Sequence, residues 1–434
     1  MKKHIKLLVV LGIILVGSFS FYLFKGYKKD TAVYENNKIM PSSSGIAMML
    51  ETSAGSGNYE MTTRSEWPTE GYVFNANLSK CEKGSELSWD NENKKVLMSG
   101  NKSDKCYVYF DVYVKQRFDQ SCNDNTLACH TAKLYTGTQG ANNIYYHDAN
   151  LTNGAGDNSY RYAGASDQVN NYVCFGSSTT PCPADNLYRI IGVFGDKVKL
   201  IKSDYATTAL LGADGDYSKM YTANNWDNST YKGNNLANIA GYTWNYKNNT
   251  TINSGQGSNT WSTSLLNKTN LNKNFITNIG ADWAAKIDTT TWKVGGNTWE
   301  NIGTQPAKTA YQNEIVSPVT TNTTDYATTY SAKVGLMYVS DYGFAAAPSA
   351  WTANLDTYNG EAIKNVNWMY MGLYEWTISR YAGSDYLAFG VYSTGSVSYN
   401  IATYVLALRP VFYLASSVNY VSGSGTAADP IVVN

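Results

Sequence analysis

Residues 187–201 read LYRIIGVFGDKVKLI, and this stretch decides the fold of the large C-terminal domain. Leu187–Phe194 is apolar and contains β-branched residues, which favours a buried strand. Gly195 and Asp196 form a two-residue connection of the kind that hairpins need, because both residue types tolerate positive φ. Lys197–Ile201 is then the returning strand, and a β-hairpin is predicted to open the domain.

Further strands follow this hairpin, with few helices between them. Residues 261–287 carry apolar side chains at spacings of mostly three, four or seven, which predicts a helix with a break near Asn270–Asn272. The other predicted strands are Val334–Val339, Glu375–Ser379, Ala388–Tyr392, Ser396–Tyr399 and Leu406–Leu414. Strands dominate without a βαβ alternation, so the predicted fold class is α+β.

The N-terminal third has a different organisation. Leu7–Phe24 is an uncharged run flanked by lysines, which predicts an uncleaved transmembrane helix within residues 1–24; a cleaved signal peptide is the alternative. Residues 25–45 are a predicted linker, and residues 46–116 a small β-sandwich (immunoglobulin-like) spacer. Residues 117–186 are loop-rich and are assigned to the start of the large domain, with the ligand-binding part over 187–434. These domains are expected outside the cell.

The cysteines agree with an extracellular location. An even number, six, in an exported chain indicates disulfides, although the sequence alone allows fifteen pairings. No CxxC motif is present, which argues against a zinc ribbon or a thioredoxin-type site. Proximity along the chain favours the pairs Cys81–Cys106, Cys122–Cys129 and Cys174–Cys182.

The composition argues against a nucleic-acid partner and favours a contact surface rich in tyrosine. The 434 residues include 34 basic and 34 acidic side chains, so the net charge is zero and the basic footprint of a nucleic-acid-binding protein is missing. Tyrosine (36) outnumbers phenylalanine (12) threefold. This excess indicates amphipathic rings on a wet contact surface.

Several segments in a fixed order resemble a known domain. They are LYRIIGVFGDKVKLI, the Trp261-Ser-x-x-Leu helix, VGLMYVSDYGFAA, YEWTIS, AFGVYSTGSV and ALRPVFYL. Over residues 186–416 the chain resembles a domain of gut Firmicutes surface proteins whose fold is C-type-lectin-like, of the formylglycine-generating-enzyme type. The resemblance implies a lectin-like fold; it does not imply that enzyme's activity, because the thiols near its C-terminus are absent here.

A narrower resemblance is to the variable proteins of diversity-generating retroelements. Their mutagenesis targets adenines, so Asn and Tyr codons mark the diversified positions. Six such positions lie close together in this chain, interleaved with serines, at Tyr381, Tyr386, Tyr392, Tyr399, Asn400 and Tyr404. This resemblance implies a hypervariable surface over about residues 375–410.

The search for catalytic groups leaves few candidates. No histidine follows His147, which excludes Ser-His-Asp or Cys-His chemistry from residue 187 onward. A glycosidase-type carboxylate pair is an alternative. Its candidates are Asp341, Asp356, Glu361, Glu375 and Asp385. For Glu375 a structural ion pair with Arg380 or Arg409 is the preferred interpretation.

No metal or cofactor is predicted. Asp214 and Asp216 lie in a glycine-rich loop and offer carboxylate oxygens of the kind that Ca²⁺ takes. The bidentate Glu of an EF-hand loop is missing, so a plain turn is preferred to a calcium site. Arg409 precedes Pro410 and an apolar run, and it is interpreted as a structural residue.

Aromatic and small polar residues crowd the segment 368–404, and tyrosine with serine and asparagine is the composition of antibody paratopes. Trp376, Ile378 and Phe389 are expected to point inward, because alternate strand residues face opposite sides. The predicted ligand-binding residues are Trp368, Tyr370, Tyr374, Tyr381, Asp385, Tyr386, Tyr392, Tyr399, Asn400 and Tyr404. We therefore expect a membrane-anchored surface protein, not an enzyme, that binds a protein or glycan; a self-assembling surface-layer subunit is a further alternative.

Overall fold

The computed structural model describes residues 45–68, 70–101, 103–113, 116–221, 228–246, 255–318 and 328–434. The predicted anchor (1–24) and the predicted linker up to residue 44 lie outside the described residues. Within the described ranges, no helix has the length and apolar character needed to cross a bilayer. The chain forms two compact units, the first ending at Gln116 and the second beginning at Arg117.

The first unit is a five-stranded sheet with a separate hairpin. The sheet order is β2-β1-β7-β3, with β4 also pairing β7, and β1 runs parallel to β7. Alternate residues of β1 and β7, such as Met48 and Phe110, meet Val96 and Met98 of the hairpin in one small core. The strands are β1 Ile46–Glu51, β2 Tyr59–Met61, β3 Tyr72–Phe74, β4 Lys80–Cys81, β5 Glu86–Asp90, β6 Lys95–Ser99 and β7 Cys106–Val112.

The second unit mixes many short strands with a few short helices, which confirms the predicted α+β class. Its strands are β8 Ile144–His147, β9 Ser159–Tyr162, β10 Tyr172–Cys174, β11 Leu187–Phe194, β12 Lys197–Lys202, β13 Tyr217–Met220, β14 Ala240–Tyr242, β15 Thr290–Lys293, β16 Gly296–Asn297, β17 Thr329–Ala332, β18 Val334–Gly335, β19 Glu375–Tyr381, β20 Leu387–Val391, β21 Val397–Ile401, β22 Val411–Tyr413, β23 Tyr420–Ser422 and β24 Ile431–Val433.

The helices of this unit are mostly one or two turns long. The α-helices are Phe118–Ser121, Leu127–Lys133, Thr208–Leu211, Ile276–Asn278, Ala281–Ala285, Trp299–Ile302, Ala307–Tyr311, Val339–Ala345 and Glu361–Lys364. Two stretches have the wider π geometry, Leu266–Phe275 and Gln312–Val316. Single 3₁₀ turns occupy Ala141–Asn143, Ala184–Asn186, Leu236–Asn238, Trp261–Thr263, Pro348–Ala350 and Leu355–Thr357.

The predicted hairpin, β11 and β12, is the centre of a nine-stranded sheet. Seven of the strands follow the order β18-β22-β12-β11-β10-β24-β23, and the other two, β9 and β8, branch from β11. The connection Gly195-Asp196 turns as predicted, with Gly195 at φ +65°. The β11–β12 pairing has a bulge between Ile190 and Gly192. Beside this bulge, β9 pairs with β11 at Gly192 and Val193, and β8 pairs with β9. A Cβ at Gly192 would lie 2.3 Å from the Tyr160 carbonyl oxygen of β9, so this crossing requires glycine.

Predicted boundaries were wrong in the helical segment after Trp261. No break occurs at Asn270–Asn272, because the Asn270 amide is buried and donates to the carbonyls of Leu211 and Asp214. The helical stretch that begins at Leu266 instead ends beside Gly280, which adopts φ +87°. Gly280 is also the N-cap of the next helix, Ala281–Ala285, and its positive φ is a conformation that glycine adopts without strain.

Two predicted strands are shorter than expected. Residues 336–339 do not continue β18, because Glu314 accepts hydrogen bonds from the backbone N–H groups of Val339 and Ser340 (2.9 and 3.0 Å) and a helix begins there. The strand predicted over Leu406–Leu414 forms a continuous ladder only from Val411, since Pro410 has no N–H to donate. This strand pairs on both sides, with β12 and β18, so it lies inside the sheet.

All three predicted disulfides are present. They join Cys81 to Cys106, Cys122 to Cys129 and Cys174 to Cys182. The first links β4 to β7, and the other two close short loops near the start of the second unit.

His147 makes the stability of the second unit dependent on pH. Its ring is fully buried against Phe344 and Trp351, and Nδ1 accepts a hydrogen bond from the Ala155 N–H at 3.0 Å. Burial lowers the pKa of His147 well below its usual value, whereas the unfolded chain titrates near 6.5. As the pH falls, the unfolded state therefore takes up the proton on His147 before the folded state does. The contribution of the buried, neutral His147 to the free energy of unfolding is lost as the pH falls below about 6.5.

We expect His147→Asn to reduce this acid sensitivity, because asparagine can keep an acceptor for Ala155 but does not titrate. The measurement is urea unfolding of both proteins at pH 7.5 and pH 5.0. The loss of unfolding free energy between the two pH values should be smaller in the variant. Equal losses in both proteins would show that His147 is not the group responsible.

Candidate functional site

The tyrosine-rich C-terminal segment forms β19, β20 and β21, and β16 (Gly296–Asn297) completes a four-stranded sheet in the order β16-β19-β20-β21. Phe389 of β20 lies directly opposite Tyr399 of β21, and their side chains share one face. Trp376, Ile378 and Phe389 are buried, as predicted. The sheet thus has a packed interior, and its tyrosines reach the surface only at certain positions.

One face of this sheet carries a compact cluster of rings, here called the aromatic patch: Trp299, Tyr381, Phe389 and Tyr399. Tyr381 and Tyr399 are stacked, with ring centroids 4.8 Å apart and planes inclined by 26°. Trp299 meets Tyr399 edge-on at 5.5 Å and lies nearly parallel to Phe389 at 6.4 Å. Phe389 is the buried base of the patch, whereas Tyr399 is 36% exposed and the other two rings are half-buried.

Trp299 was missed in the sequence analysis. It begins a one-turn helix 82 residues before Tyr381, and no local periodicity connects the two. A Cβ at Gly303 would lie 2.1 Å from the Trp299 ring, so this glycine makes room for the indole. The only local signal for Trp299 was a tryptophan among polar residues, four residues before a glycine that could make room for its ring.

Asn259 is a second residue that sequence reasoning missed, and it holds the turn between β19 and β20. Its buried amide nitrogen donates to the carbonyls of Tyr381, Ser384 and Leu387 at 2.9, 2.7 and 2.8 Å. Its backbone N–H donates to the carbonyl of Asp385 at 2.8 Å. Asp385 and Tyr386 are therefore half-buried members of a turn fixed from below.

The remaining predicted tyrosines lie in a separate group. Tyr374 and Tyr392 pack together at 4.7 Å, and the Tyr392 hydroxyl donates to the Tyr399 carbonyl and the Asn400 Oδ1, both at 3.3 Å. Asn400 is buried, which removes it from the exposed surface. Tyr404 follows β21 and is 39% exposed. None of the ring contacts found in the described residues joins these side chains to the aromatic patch.

Trp368 and Tyr370 also belong to the core, so their assignment to the binding surface was wrong, as it was for the buried Asn400. Trp368 is 1% exposed and donates from Nε1 to the Tyr162 carbonyl at 2.9 Å. Tyr370 is 2% exposed and its hydroxyl donates to the Ser393 carbonyl at 2.5 Å. Each ring buries a large apolar area and satisfies its one polar hydrogen internally, which suits a core position.

The carboxylates considered for glycoside hydrolysis are placed in different surroundings. Glu375 is buried and forms a two-fold ion pair with Arg409, at 2.7 and 2.8 Å, as the preferred interpretation predicted. Asp341 is buried and paired with Lys199, whereas Glu361 is exposed and paired with Lys364.

The glycine loop after Leu211 is held by hydrogen bonds to its two carboxylates. Asp216 accepts from the N–H groups of Tyr246 and Leu266 and from the Thr243 hydroxyl. Asp214 accepts from the side-chain amide of Asn274. Across the described ranges, no three His, Cys, Asp or Glu side chains come together in a way that could hold a metal ion.

The exposed rings themselves carry no charge at neutral pH. Burial raises the pKa of Tyr381 and of Tyr392 above the ordinary tyrosine value, so both hydroxyls stay protonated. Such hydroxyls both donate and accept hydrogen bonds, and the ring faces offer apolar area. This combination can stack on a sugar ring or cover a protein surface.

Comparison with known proteins identifies no relative: no protein-family model, no curated protein and no solved structure matches this chain.

Proposed function

We propose that this protein is an extracytoplasmic binding protein, anchored at the cell surface through its N-terminal segment, whose second unit is C-type-lectin-like and holds a protein or glycan ligand. The observation that carries the proposal is the aromatic patch. Its rings are partly exposed, uncharged and fixed in place by mutual stacking and by Asn259. Tyr and Trp are the residue types most enriched where binding energy concentrates.

Preorganisation strengthens this proposal. A side chain that is already immobilised loses little rotamer freedom when a ligand arrives, which raises affinity. Tyr399 is held against Tyr381 and Trp299, and the turn after Tyr381 is held by Asn259. The disulfides agree with the proposed location, since they form in oxidising compartments.

The test is binding of the detergent-solubilised full chain to glycan and protein arrays, followed by affinity measurement for the best ligand. We expect Tyr399→Ala to weaken binding by about tenfold or more, as for an aromatic interface anchor. Tyr107→Ala is the matched control, since Tyr107 is 37% exposed but belongs to the first unit. No ligand on any array, or equal affinity of Tyr399→Ala and the parent chain, would count against the proposal.

A second candidate function is that of a retroelement-diversified receptor, in which residues 375–410 are hypervariable. One observation favours it: Tyr381, Tyr386, Tyr392, Tyr399 and Tyr404 all reach the surface, whereas Leu406–Leu408 directly after them are fully buried. Positions that tolerate change therefore adjoin positions that do not. A near-repeat of this coding segment with adenine-limited differences, beside a reverse-transcriptase gene, would support this function; a locus without both would reject it.

A further inference from the structure

The second unit contains a cavity lined by charged side chains, here called the charged pocket. It has a volume of about 160 Å³ and is partly open to solvent. Its charged lining residues are Asp157, Arg161, Lys199, Lys293 and Asp341. These residues come from β9, β12, β15, the helix Val339–Ala345 and the loop before β9, so distant segments of the chain meet here. None of these residues belongs to the aromatic patch.

Four of the five charges neutralise one another. Arg161 pairs with Asp157 at 2.5 Å and approaches Asp341 at 3.6 Å, and Lys199 pairs with Asp341 at 2.5 Å. The Arg161, Lys199 and Asp341 side chains are only 1–3% exposed. These two cations and two anions thus form an electrically neutral network, which needs no bound counter-ion.

Lys293 is the fifth charged lining residue, and no lining carboxylate is left to neutralise it. Three lining cations against two lining anions leave a net charge of 3 − 2 = +1. The Lys293 ammonium makes no hydrogen bond or ion pair within the described part of the chain; only its backbone N–H is engaged, by the Tyr338 hydroxyl. The side chains that line the pocket therefore carry one net positive charge, at Lys293, which has no ion-pair partner among the described residues.

Tyr413 adds a second group that has no hydrogen-bond partner among the described residues. Its ring lines the pocket, and its hydroxyl makes no hydrogen bond to any described residue. An ammonium is a donor only, and a tyrosine hydroxyl can donate as well. Two unoccupied donors, one of them charged, are the chemistry that recognises a carboxylate.

The other walls restrict the size and type of the ligand. The volume corresponds to roughly five water molecules at ~30 Å³ each, which is below the ~300 Å³ at which sites for drug-sized ligands begin. The rings of Phe194, Tyr311 and Tyr338 supply apolar faces. Asp157 already accepts from the Ser159 N–H, the Ser159 hydroxyl and Arg161. Asp341 has further acceptor capacity, because its Oδ1 lies 3.6 Å from the Arg161 guanidinium, and this suits a ligand hydroxyl group.

We infer that the charged pocket binds a monosaccharide-sized, hydroxylated carboxylate, such as a hexuronate, with its carboxylate at Lys293 and Tyr413 and a hydroxyl toward Asp341. This site goes beyond the proposed function, because it is separate from the aromatic patch and takes a small molecule. One carboxylate cancels the net charge of the pocket.

The test is calorimetric titration of the purified full chain with D-glucuronate, D-galacturonate, D-glucose and acetate. We expect at least one of the two uronates to bind about tenfold or more tightly than glucose, which lacks the carboxylate, and than acetate, which lacks the hydroxyls. Lys293→Met and Tyr413→Phe should each weaken uronate binding by about tenfold or more. Both variants leave the buried ion network intact, and the melting temperature of the free proteins should be unchanged.

Tyr399→Phe separates this inference from the proposed function, since it changes the aromatic patch and should leave uronate affinity unaltered. The inference is overturned if neither uronate binds, if glucose or acetate binds equally well, or if both pocket variants bind uronate like the parent chain. A failure of the array experiment alone would not affect it, because the two sites share no residue.

Discussion

Replacing Arg409 by methionine is expected to lower the free energy of unfolding of the second unit by about 3–5 kcal/mol. Arg409 is 1% exposed and binds both carboxylate oxygens of Glu375, which is 2% exposed, at 2.7 and 2.8 Å. It also donates to the Met369 carbonyl at 2.7 Å and lies over the Tyr205 ring. Methionine has similar length but leaves the Glu375 carboxylate buried without its counter-charge.

The control is to remove the carboxylate as well. A buried ion pair can often be replaced by uncharged residues at little cost, whereas removing only one partner is strongly destabilising. We therefore expect Glu375→Leu combined with Arg409→Met to recover much of the stability lost in Arg409→Met alone. Urea unfolding of the parent, the single variants and the double variant measures the coupling. A double variant as unstable as the sum of the two single variants would contradict this account.

Asp341→Asn is expected to cost about 3–5 kcal/mol of unfolding free energy for the same physical reason. Asp341 is the carboxylate that pairs with Lys199, which is 1% exposed, and it approaches Arg161 at 3.6 Å. It also accepts from the Tyr338 backbone N–H at 2.9 Å, at the start of the helix Val339–Ala345. The variant leaves the Lys199 ammonium buried without its carboxylate.

Adding Lys199→Met to Asp341→Asn should restore part of the stability, because the unpaired buried ammonium is then gone. Glu361→Gln is the matched control for an ion pair in solvent. Glu361 pairs with Lys364 at 2.5 Å, but its side chain is 74% exposed, so no measurable change is expected. Equal losses in Asp341→Asn and Glu361→Gln, measured by urea unfolding, would show that burial is not what makes the Asp341 pairs important.

The elements that could be predicted best are those with a local signal in the sequence. The hairpin Leu187–Ile201 follows from an apolar run, a two-residue turn and a second run, and all three are present. The three disulfides join cysteines close in sequence. Boundaries were less accurate, as at Asn270 and Val339, because buried side-chain hydrogen bonds to distant backbone groups decide where those elements begin and end.

The candidate site shows the same division. Strand periodicity predicts that Trp376 and Phe389 point inward, and they do. It does not distinguish Tyr370, whose hydroxyl is satisfied by the Ser393 carbonyl in the core, from Tyr399, which is exposed. Both are tyrosines in a tyrosine-rich segment. Whether each ring is buried or exposed depends on which other part of the chain packs against it, and the sequence pattern does not show that.

The α+β class, the central hairpin and the favoured disulfide pairs could be predicted from the sequence alone. These depend on alternation, turn chemistry and spacing over a few residues, which act before the chain is compact. Only the tertiary structure decided that Trp299 joins Tyr381 and Tyr399, and that Arg161, Lys199 and Asp341 surround one pocket. Those contacts join residues far apart in the chain, and burial of charge and ring area, not local propensity, selects them.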